Sequence, residues 1–271
     1  MLQRKWLIIL IAACFIVLQT TSFVLAKPSK GLVAHLHLDE GNGKVAKDVS
    51  GEKNDGELWG GAKWEKGEGL SKGGGFTGVS LNLPSSSGLN IKAQGVESLE
   101  QITEGITLAA WIKIQGAATD DQGNIIVKPG SYYLVYRDEK VGMYLYGPSS
   151  TGKLGYQTGK TTLPQKKWMH VALSFTKGKE IVLYLDGEVE WKESGKAADL
   201  DIETRNNEAF VGIGVERQAS RFFDGLVDEV IIYANVGLTQ AAIQTELINN
   251  PQSVSPLDKL AVTWGTIKRD R

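Results

Sequence analysis

Short runs of alternating apolar and other residues, separated by turns, constrain the fold of this chain more than any other feature. In GLVAHLHLDE the apolar positions 32, 34, 36 and 38 alternate with residues 33, 35, 37 and 39. Comparable runs recur as ITLAAWIKI, NIIVK, YYLVYRD, VGMYLYG, WMHVALSF, IVLYLDGEVEW, FVGIGV and FDGLVDEVIIY. A period of two is that of a β-strand. Many short strands joined by Gly-, Asn- and Ser-rich turns predict an all-β fold, a two-sheet antiparallel jelly-roll sandwich.

Two local signals refine this prediction. Asp186-Gly187 stands between two apolar runs, and Asp-Gly in that position predicts a tight β-hairpin. Near the end of the chain, LTQAAIQTELIN offers Thr239 as an N-cap, with Ile243 and Leu247 four residues apart. We therefore expect a short C-terminal helix beside the strands.

The N-terminus has the composition of an export signal. Residues 1–26 contain two early basic residues, an uncharged apolar run that ends at Leu18, and small residues before Lys27. Cleavage after Ala26 is favoured. The alternatives are lipidation at Cys14, in the sequence IAAC, and an uncleaved anchor. We expect a secreted, periplasmic or cell-surface protein of bacterial type, which contacts a membrane only through this segment if it is lipidated or retained.

The remainder divides into a domain over residues 27–250 and a linker and tail over residues 251–271. Cys14 is the only cysteine, so the mature domain has no disulfide. The 30 basic and 31 acidic residues nearly balance, which gives no electrostatic basis for nucleic-acid binding. No feature of the sequence sets an oligomeric state.

Several segments, taken together and in order, resemble laminin-G-like, concanavalin A-like jelly-roll domains over about residues 31–249. The most specific are the D-x-S-G-x-x-N-D-G turn at residues 48–56, the W-x-H-V-A pattern from Trp168, the Y-L-D-G hairpin and the G-L-V-D-E-V strand. The resemblance implies two antiparallel sheets of six or seven strands. It also implies a non-catalytic module that binds glycans or proteins, often with a calcium ion.

Two adjacent acids, Asp228 and Glu229, interrupt the apolar strand RFFDGLVDEVIIY. A buried carboxylate is costly unless it is paired, hydrogen-bonded or bound to a metal. Neighbouring residues of a strand point to opposite faces, so this pair is not expected to form a retaining glycosidase site. The E-x-D-x-x-E arrangement of laminarinase-like enzymes is also absent from the sequence. We therefore predict no enzyme, with a glycoside hydrolase as the least favoured alternative.

The interpretation of Asp228 that we favour is a structural calcium site. The resemblance implies that the first and last strands are neighbours, which would bring Asp39, Asp48 and Asp228 together at one rim as oxygen ligands. The alternative is that these acids cap turns and accept backbone N–H bonds.

His35-x-His37, which shares a strand face with Asp39, has a spacing that can hold zinc. His170 would have to supply a third nitrogen, and two solvent-facing histidines are the commoner case. Zinc is therefore a minor hypothesis.

Tyrosines cluster between residues 132 and 156. Tyr132 and Tyr136 share one strand face, as do Tyr144 and Tyr146 on the next strand. An aromatic ring with a hydroxyl suits stacking on a sugar or anchoring a protein contact. We predict that these four residues bind ligand, with ordinary sheet packing as the alternative.

The sequence thus predicts an exported, non-catalytic binding module for extracellular carbohydrate or glycoprotein, braced by calcium. The rival hypothesis is a protein–protein adhesion module that docks through its tail and Trp264.

Overall fold

The alternating runs form strands in the computed structural model, which describes residues 30–70, 79–84, 86–93, 96–116, 121–147, 153–202, 210–215 and 220–249. The predicted export segment and the tail over residues 251–271 lie outside these ranges. In chain order the strands are β1 (Leu32–Leu36), β2 (Val45–Ala46), β3 (Gly56–Trp59), β4 (Lys63–Lys66), β5 (Val79–Leu83), β6 (Gly88–Lys92), β7 (Gly105–Ile114), β8 (Gln122–Lys128), β9 (Tyr132–Arg137), β10 (Lys140–Tyr146), β11 (Lys153–Thr158), β12 (Trp168–Thr176), β13 (Glu180–Leu185), β14 (Glu188–Ser194), β15 (Phe210–Ile213) and β16 (Gly225–Ala234).

These strands make two antiparallel sheets, which confirms the predicted sandwich. Sheet 1 has the order β14-β13-β12-β7-β16-β5-β4, with β1 also paired to β16. Sheet 2 has the order β11-β10-β9-β8-β15-β6-β3-β2. Each sheet mixes strands from distant parts of the chain, so the hydrophobic core between them depends on the whole domain.

Alternation along β7 shows how the core forms. Leu108, Ala110 and Ile112 are buried in the main hydrophobic cluster between the sheets. Ala109 lies on the other side and belongs to a second, smaller cluster. One face of sheet 1 therefore lines the core, and the opposite face, which we call its outer face, needs separate cover.

The C-terminal helix supplies that cover. Thr239 caps it by accepting a hydrogen bond from the Ala242 amide at 3.3 Å, as predicted. One short α-turn, Gln240–Ala242, continues as a wider π-helical segment, Ile243–Ile248. Its buried residues, Ile243 and Leu247, pack in the second cluster. The predicted helix is confirmed, with wider hydrogen bonding than an α-helix.

The hairpin between β13 and β14 has the predicted Asp-Gly turn. Asp186 and Gly187 have φ values of 49° and 81°, which suit a tight two-residue turn between twisted strands. A Cβ on Gly187 would lie 2.7 Å from Cγ of Gln244 in the C-terminal helix. The glycine thus serves both the turn and the close approach of the helix.

A short helix at Glu97–Glu100 precedes β7. Among the residues that the structure describes, no helix is long and apolar enough to cross a membrane.

Candidate functional site

The acid pair lies at a junction between three strands. One edge of β16 pairs with β5 through residues 225–227 and then with β1 through residues 230–233. Between these two pairings, the register of β16 against β7 shifts between Asp228 and Ile231. Glu229 has a φ of 47°, in the left-handed region that a residue other than glycine rarely adopts. The chain therefore has a β-bulge at the acid pair, and a bulge redirects side chains.

The bulge brings both carboxylates to the outer side of sheet 1, so our expectation of opposite faces is wrong. Asp228 pairs with Trp111 on β7. Trp111 is two residues from the outward-facing Ala109 and therefore faces outward too. Glu229 bonds to His35, which pairs with the outward-facing Ile231. The simple alternation rule fails here because the inserted residue with positive φ breaks the period of two.

The Glu229 carboxylate contacts the side chains of His35 and His37, and we call these three residues the histidine cluster. His35 Nε2 lies 2.7 Å from Glu229 Oε2, and His37 Nδ1 lies 3.0 Å from the same oxygen. The side chains of His35, His37 and Glu229 are 0%, 13% and 1% exposed. The expectation of two solvent-facing histidines is therefore wrong for His35, which is buried beside a carboxylate.

Burial and neighbouring charges shift the pKa values of Asp228 and Glu229 in opposite directions. Burial raises the pKa of Asp228 well above its ordinary value, and the charge of Glu229 raises it further. Burial also opposes ionisation of Glu229, but hydrogen bonds from His35 and His37 and their charges outweigh it and lower its pKa to about 2. Glu229 is thus the charged partner of the histidines. Both acids are 2% exposed, so neither is open to a substrate.

Asp48 has the role foreseen in the alternative to calcium. Its Oδ1 accepts the amides of His35 at 2.8 Å and Ser50 at 2.9 Å, and its Oδ2 accepts the Ser50 hydroxyl and the Asn54 amide. A carboxylate has about four acceptor positions, so protein donors fill those of Asp48. Asp48 therefore does not fit a calcium cage. It ties the loop of residues 48–54 to β1.

The other two predicted calcium ligands, Asp39 and Asp228, interact electrostatically. The charge of Asp39 contributes to the raised pKa of Asp228, whose oxygens accept the amides of Leu70 at 3.3 Å and Glu229 at 3.0 Å. Calcium takes six to eight oxygen ligands, more than these two acids supply. A calcium ion at Asp39 and Asp228 stays a prediction.

Two of the four predicted ligand-binding tyrosines lie in the core, which corrects that prediction. Tyr132 is 0% exposed and Tyr136 is 5% exposed, and both pack in the main cluster. Burial raises the pKa of the Tyr132 hydroxyl. They share a strand face as predicted, but that face of β9 points into the sandwich.

Tyr144 and Tyr146 lie instead on the outer face of sheet 2, where two further tyrosines join them. Tyr144 pairs across the hairpin with Tyr133, and its ring centre lies 5.6 Å from that ring and 5.2 Å from the ring of Tyr156. The rings of Tyr144 and Tyr146 are within 12° of parallel, with centres 6.2 Å apart. We call these four residues, Tyr133, Tyr144, Tyr146 and Tyr156, the aromatic patch. All except Tyr133 are partly exposed.

Polar side chains fix the patch. Arg137 donates to the Tyr144 hydroxyl at 2.6 Å, and that hydroxyl donates to Gln122 Oε1 at 3.0 Å. Gln122 in turn donates to Asn124 at 2.8 Å. The Arg137 guanidinium also lies 4.7 Å from the centre of the Tyr156 ring, within cation–π range. The patch is therefore an ordered surface with a cation at its edge.

A glycine gives Tyr156 its place. Gly142 stands on the same strand as Tyr144, and a Cβ there would lie 2.5 Å from Cε2 of Tyr156. The ring therefore lies against bare backbone. Tyr133 and Tyr156 were missed from the sequence, although Tyr133 follows from counting outward from the hairpin: Arg137 pairs with Lys140, so residue 133 pairs with residue 144.

Two sheets, a covered outer face and an aromatic outer face define a jelly-roll module of the lectin-like class. The family model for the concanavalin A-like lectin/glucanases superfamily matches residues 85–244. The chain therefore belongs to that superfamily, as its motifs suggested. A search of curated protein sequences finds no match.

Solved structures with a similar fold include two binding domains and one domain of an extracellular arabinanase. The binding domain of Paraclostridial Mosquitocidal Protein 1 is 14% identical with a TM-score of 0.58, over 79% of this chain and 51% of that one. Domain 4 of AbnA, a GH43 extracellular arabinanase from Geobacillus stearothermophilus, in complex with arabinotriose, is 16% identical with a TM-score of 0.56, over 79% and 97%. The binding domain of Botulinum Neurotoxin DC in complex with SialylT is 14% identical with a TM-score of 0.59, over 83% and 52%. This chain thus spans about half the length of the toxin domains. At these identities the likeness concerns the fold.

Proposed function

We propose that this protein is a non-catalytic binding module that holds an extracellular carbohydrate on the aromatic patch. The observation that carries the proposal is the set of partly exposed tyrosines 144, 146 and 156, ordered by Arg137. A tyrosine ring stacks on the apolar C–H face of a sugar, while its hydroxyl and nearby polar groups bond to sugar hydroxyls. The patch combines both features.

Two further observations support a sugar ligand. Arabinotriose and SialylT are bound by proteins of the same fold. The acids Asp228 and Glu229, which are the nearest approach to a catalytic pair, are buried at 2% exposure and engaged with the protein's own groups. Binding without bond cleavage therefore accounts for the exposed chemistry better than hydrolysis does.

The second candidate is protein recognition. A botulinum neurotoxin binding domain of this fold forms a complex with rat synaptotagmin II. Tyrosine and arginine are also the residues enriched at protein–protein hot spots. A protein partner would use the same patch, so the sugar proposal must be tested against it.

The test is a glycan screen of the chain by glycan array, followed by calorimetry with the best ligand and with arabinotriose. For a sugar bound at the patch, Tyr144→Ala and Tyr156→Ala are each expected to weaken binding at least tenfold, because stacked aromatic rings dominate such contacts. Val189→Ser is the control: Val189 is 41% exposed on sheet 1, away from the patch. Silence across the panel from folded protein, or full affinity in both tyrosine variants, would refute the proposal.

We further propose that residues 1–26 direct export, with calcium at Asp39 and Asp228 as a structural ion. N-terminal sequencing of the mature protein tests the first point. A start at Lys27 supports it, and an intact Met1 contradicts it. Calcium is tested by melting the protein with calcium and with a calcium-selective chelator, and an unchanged melting temperature would count against the ion.

A further inference from the structure

We propose that the histidine cluster is a metal site that binds one divalent transition-metal ion, with Zn²⁺ the best match to its ligands. A nitrogen of His35, a nitrogen of His37 and a carboxylate oxygen of Glu229 all lie within 4.8 Å of one another. Within the described part of the chain, this is the one group of three such residues that meets that criterion. Two imidazoles and one carboxylate form a ligand set that zinc and related ions accept, with a further position left for water.

Two of the three ligands lie on paired strands, His35 on β1 and Glu229 on β16, and His37 follows the end of β1 directly. The His35 amide donates to Asp48, and the His35 carbonyl accepts the Val49 amide at 2.9 Å. These bonds fix the edge of β1 at the residue that supplies a ligand. Supporting bonds of this kind position metal ligands, and a site on strands is more precise than one on loops.

Glu229 is placed at an energetic cost. Its positive φ is strained for a residue other than glycine, and such residues, like bulges, are common beside functional sites. The strained conformation delivers the carboxylate to both imidazoles at 3.0 Å or less.

The cluster is also accessible to solvent from one side. His37 is the cluster member with solvent contact, its side chain being 13% exposed, and it marks the side from which an ion enters.

The proposal is independent of sugar binding. The histidine cluster lies on the outer side of sheet 1, and the aromatic patch lies on the outer face of sheet 2. A negative result for metal binding therefore does not bear on sugar binding, and a negative result for sugar binding does not bear on the metal site.

The experiment uses the folded chain, stripped with a chelator and dialysed. Zn²⁺ is titrated by calorimetry and in competition with a chromophoric chelator, and Co²⁺ is added separately as a spectroscopic probe. We expect one ion per chain, a dissociation constant in the micromolar range or tighter, and a raised melting temperature. Bound Co²⁺ should show visible absorption bands typical of four- or five-coordinate nitrogen and oxygen ligation.

Three variants locate the site. His37→Gln is expected to weaken Zn²⁺ binding at least tenfold and to remove the Co²⁺ bands, and since His37 is partly exposed this variant should fold. Glu229→Gln should have the same effect. His170→Gln is the matched control, because His170 is the one histidine of the three in the chain that lies outside the cluster, on β12 beside Trp111.

Other outcomes overturn the proposal. If the wild-type chain shows no saturable Zn²⁺ binding, the histidine cluster is a buried ion pair only. Unchanged affinity in His37→Gln, an equal loss in His170→Gln, or saturable binding of Ca²⁺ without Zn²⁺ would each place the ion elsewhere or exclude it.

Discussion

The outer faces of the two sheets are both built from antiparallel strands, but one is covered by a helix and the other is partly exposed. On sheet 1, the small side chains of Ala109 and Ala172 let the C-terminal helix press Ile243 and Leu247 onto the strands. On sheet 2, tyrosines and an arginine stand where the other sheet has alanines, and three of the rings stay partly exposed. The covered face thus contributes to stability, and the aromatic face is the surface that we propose binds ligand.

Removing apolar contact from the covered face should have the largest effect on stability. Leu247 is 1% exposed, so Leu247→Ala is expected to lower the free energy of unfolding by about 2–5 kcal/mol, through lost burial and a cavity. Denaturant unfolding of this variant and of Tyr146→Ala measures the contrast. Equal losses would mean that the aromatic patch is also a structural surface.

A substitution at the edge where the two sheets meet should have a smaller but measurable effect on stability. Glu190 of β14 accepts the amides of Lys160 at 2.7 Å and Thr161 at 2.8 Å, and also the Thr161 hydroxyl. These bonds tie sheet 1 to the segment that follows β11 of sheet 2. Glu190→Gln is expected to cost about 1–3 kcal/mol at neutral pH, because it weakens charge-assisted hydrogen bonds.

The same residue predicts a pH dependence. Burial opposes ionisation of Glu190, but its hydrogen bonds outweigh burial and lower its pKa below the ordinary value. A lowered folded-state pKa contributes stability above the unfolded-state pKa, and that contribution is lost as the pH falls through the folded-state pKa. The gap between wild type and Glu190→Gln should therefore narrow in acid. A gap that is constant with pH would contradict this assignment.

On the aromatic face, Arg137→Lys tests whether the contacts of the guanidinium with Tyr144 and Tyr156 matter for binding, because it keeps the positive charge. Lysine cannot reproduce the planar fork that bonds to the Tyr144 hydroxyl and lies over Tyr156, so ligand affinity should fall about three- to tenfold. Stability should change by less than about 0.5 kcal/mol, as is usual for surface positions. Lys140→Gln on the same hairpin is the control. An equal loss of affinity there would point to general charge attraction.

The smallest expected effect concerns β15, which lies next to β8 within sheet 2. Phe210 is 43% exposed on β15, two residues before Gly212, which pairs with Val127 beside the patch. Phe210→Ala should leave the free energy of unfolding within about 0.5 kcal/mol and ligand affinity unchanged. Calorimetry that shows weaker binding would extend the binding surface across sheet 2.

Much of the fold could be predicted because it rests on local chemistry. The period of two, the Asp186-Gly187 turn and the Thr239 cap each act over a few residues, and all three are confirmed. The alternative role of Asp48, a turn acid that accepts backbone amides, was also readable from its motif. These features do not depend on where distant segments lie.

The candidate site could not be predicted in full, because it depends on contacts between residues that are far apart in the sequence. Alternation shows that Tyr132 and Tyr133 face opposite ways, but only the packed sandwich decides that Tyr132 points inward. The meeting of His35 with Glu229, 194 residues apart, requires β1 and β5 to share one edge of β16 and a bulge between them. The sequence by itself therefore determined the strands, turns and helix, because these follow from neighbouring residues. Tertiary structure decided which faces are buried and which acids meet histidines, because those depend on sheet register and long-range pairing.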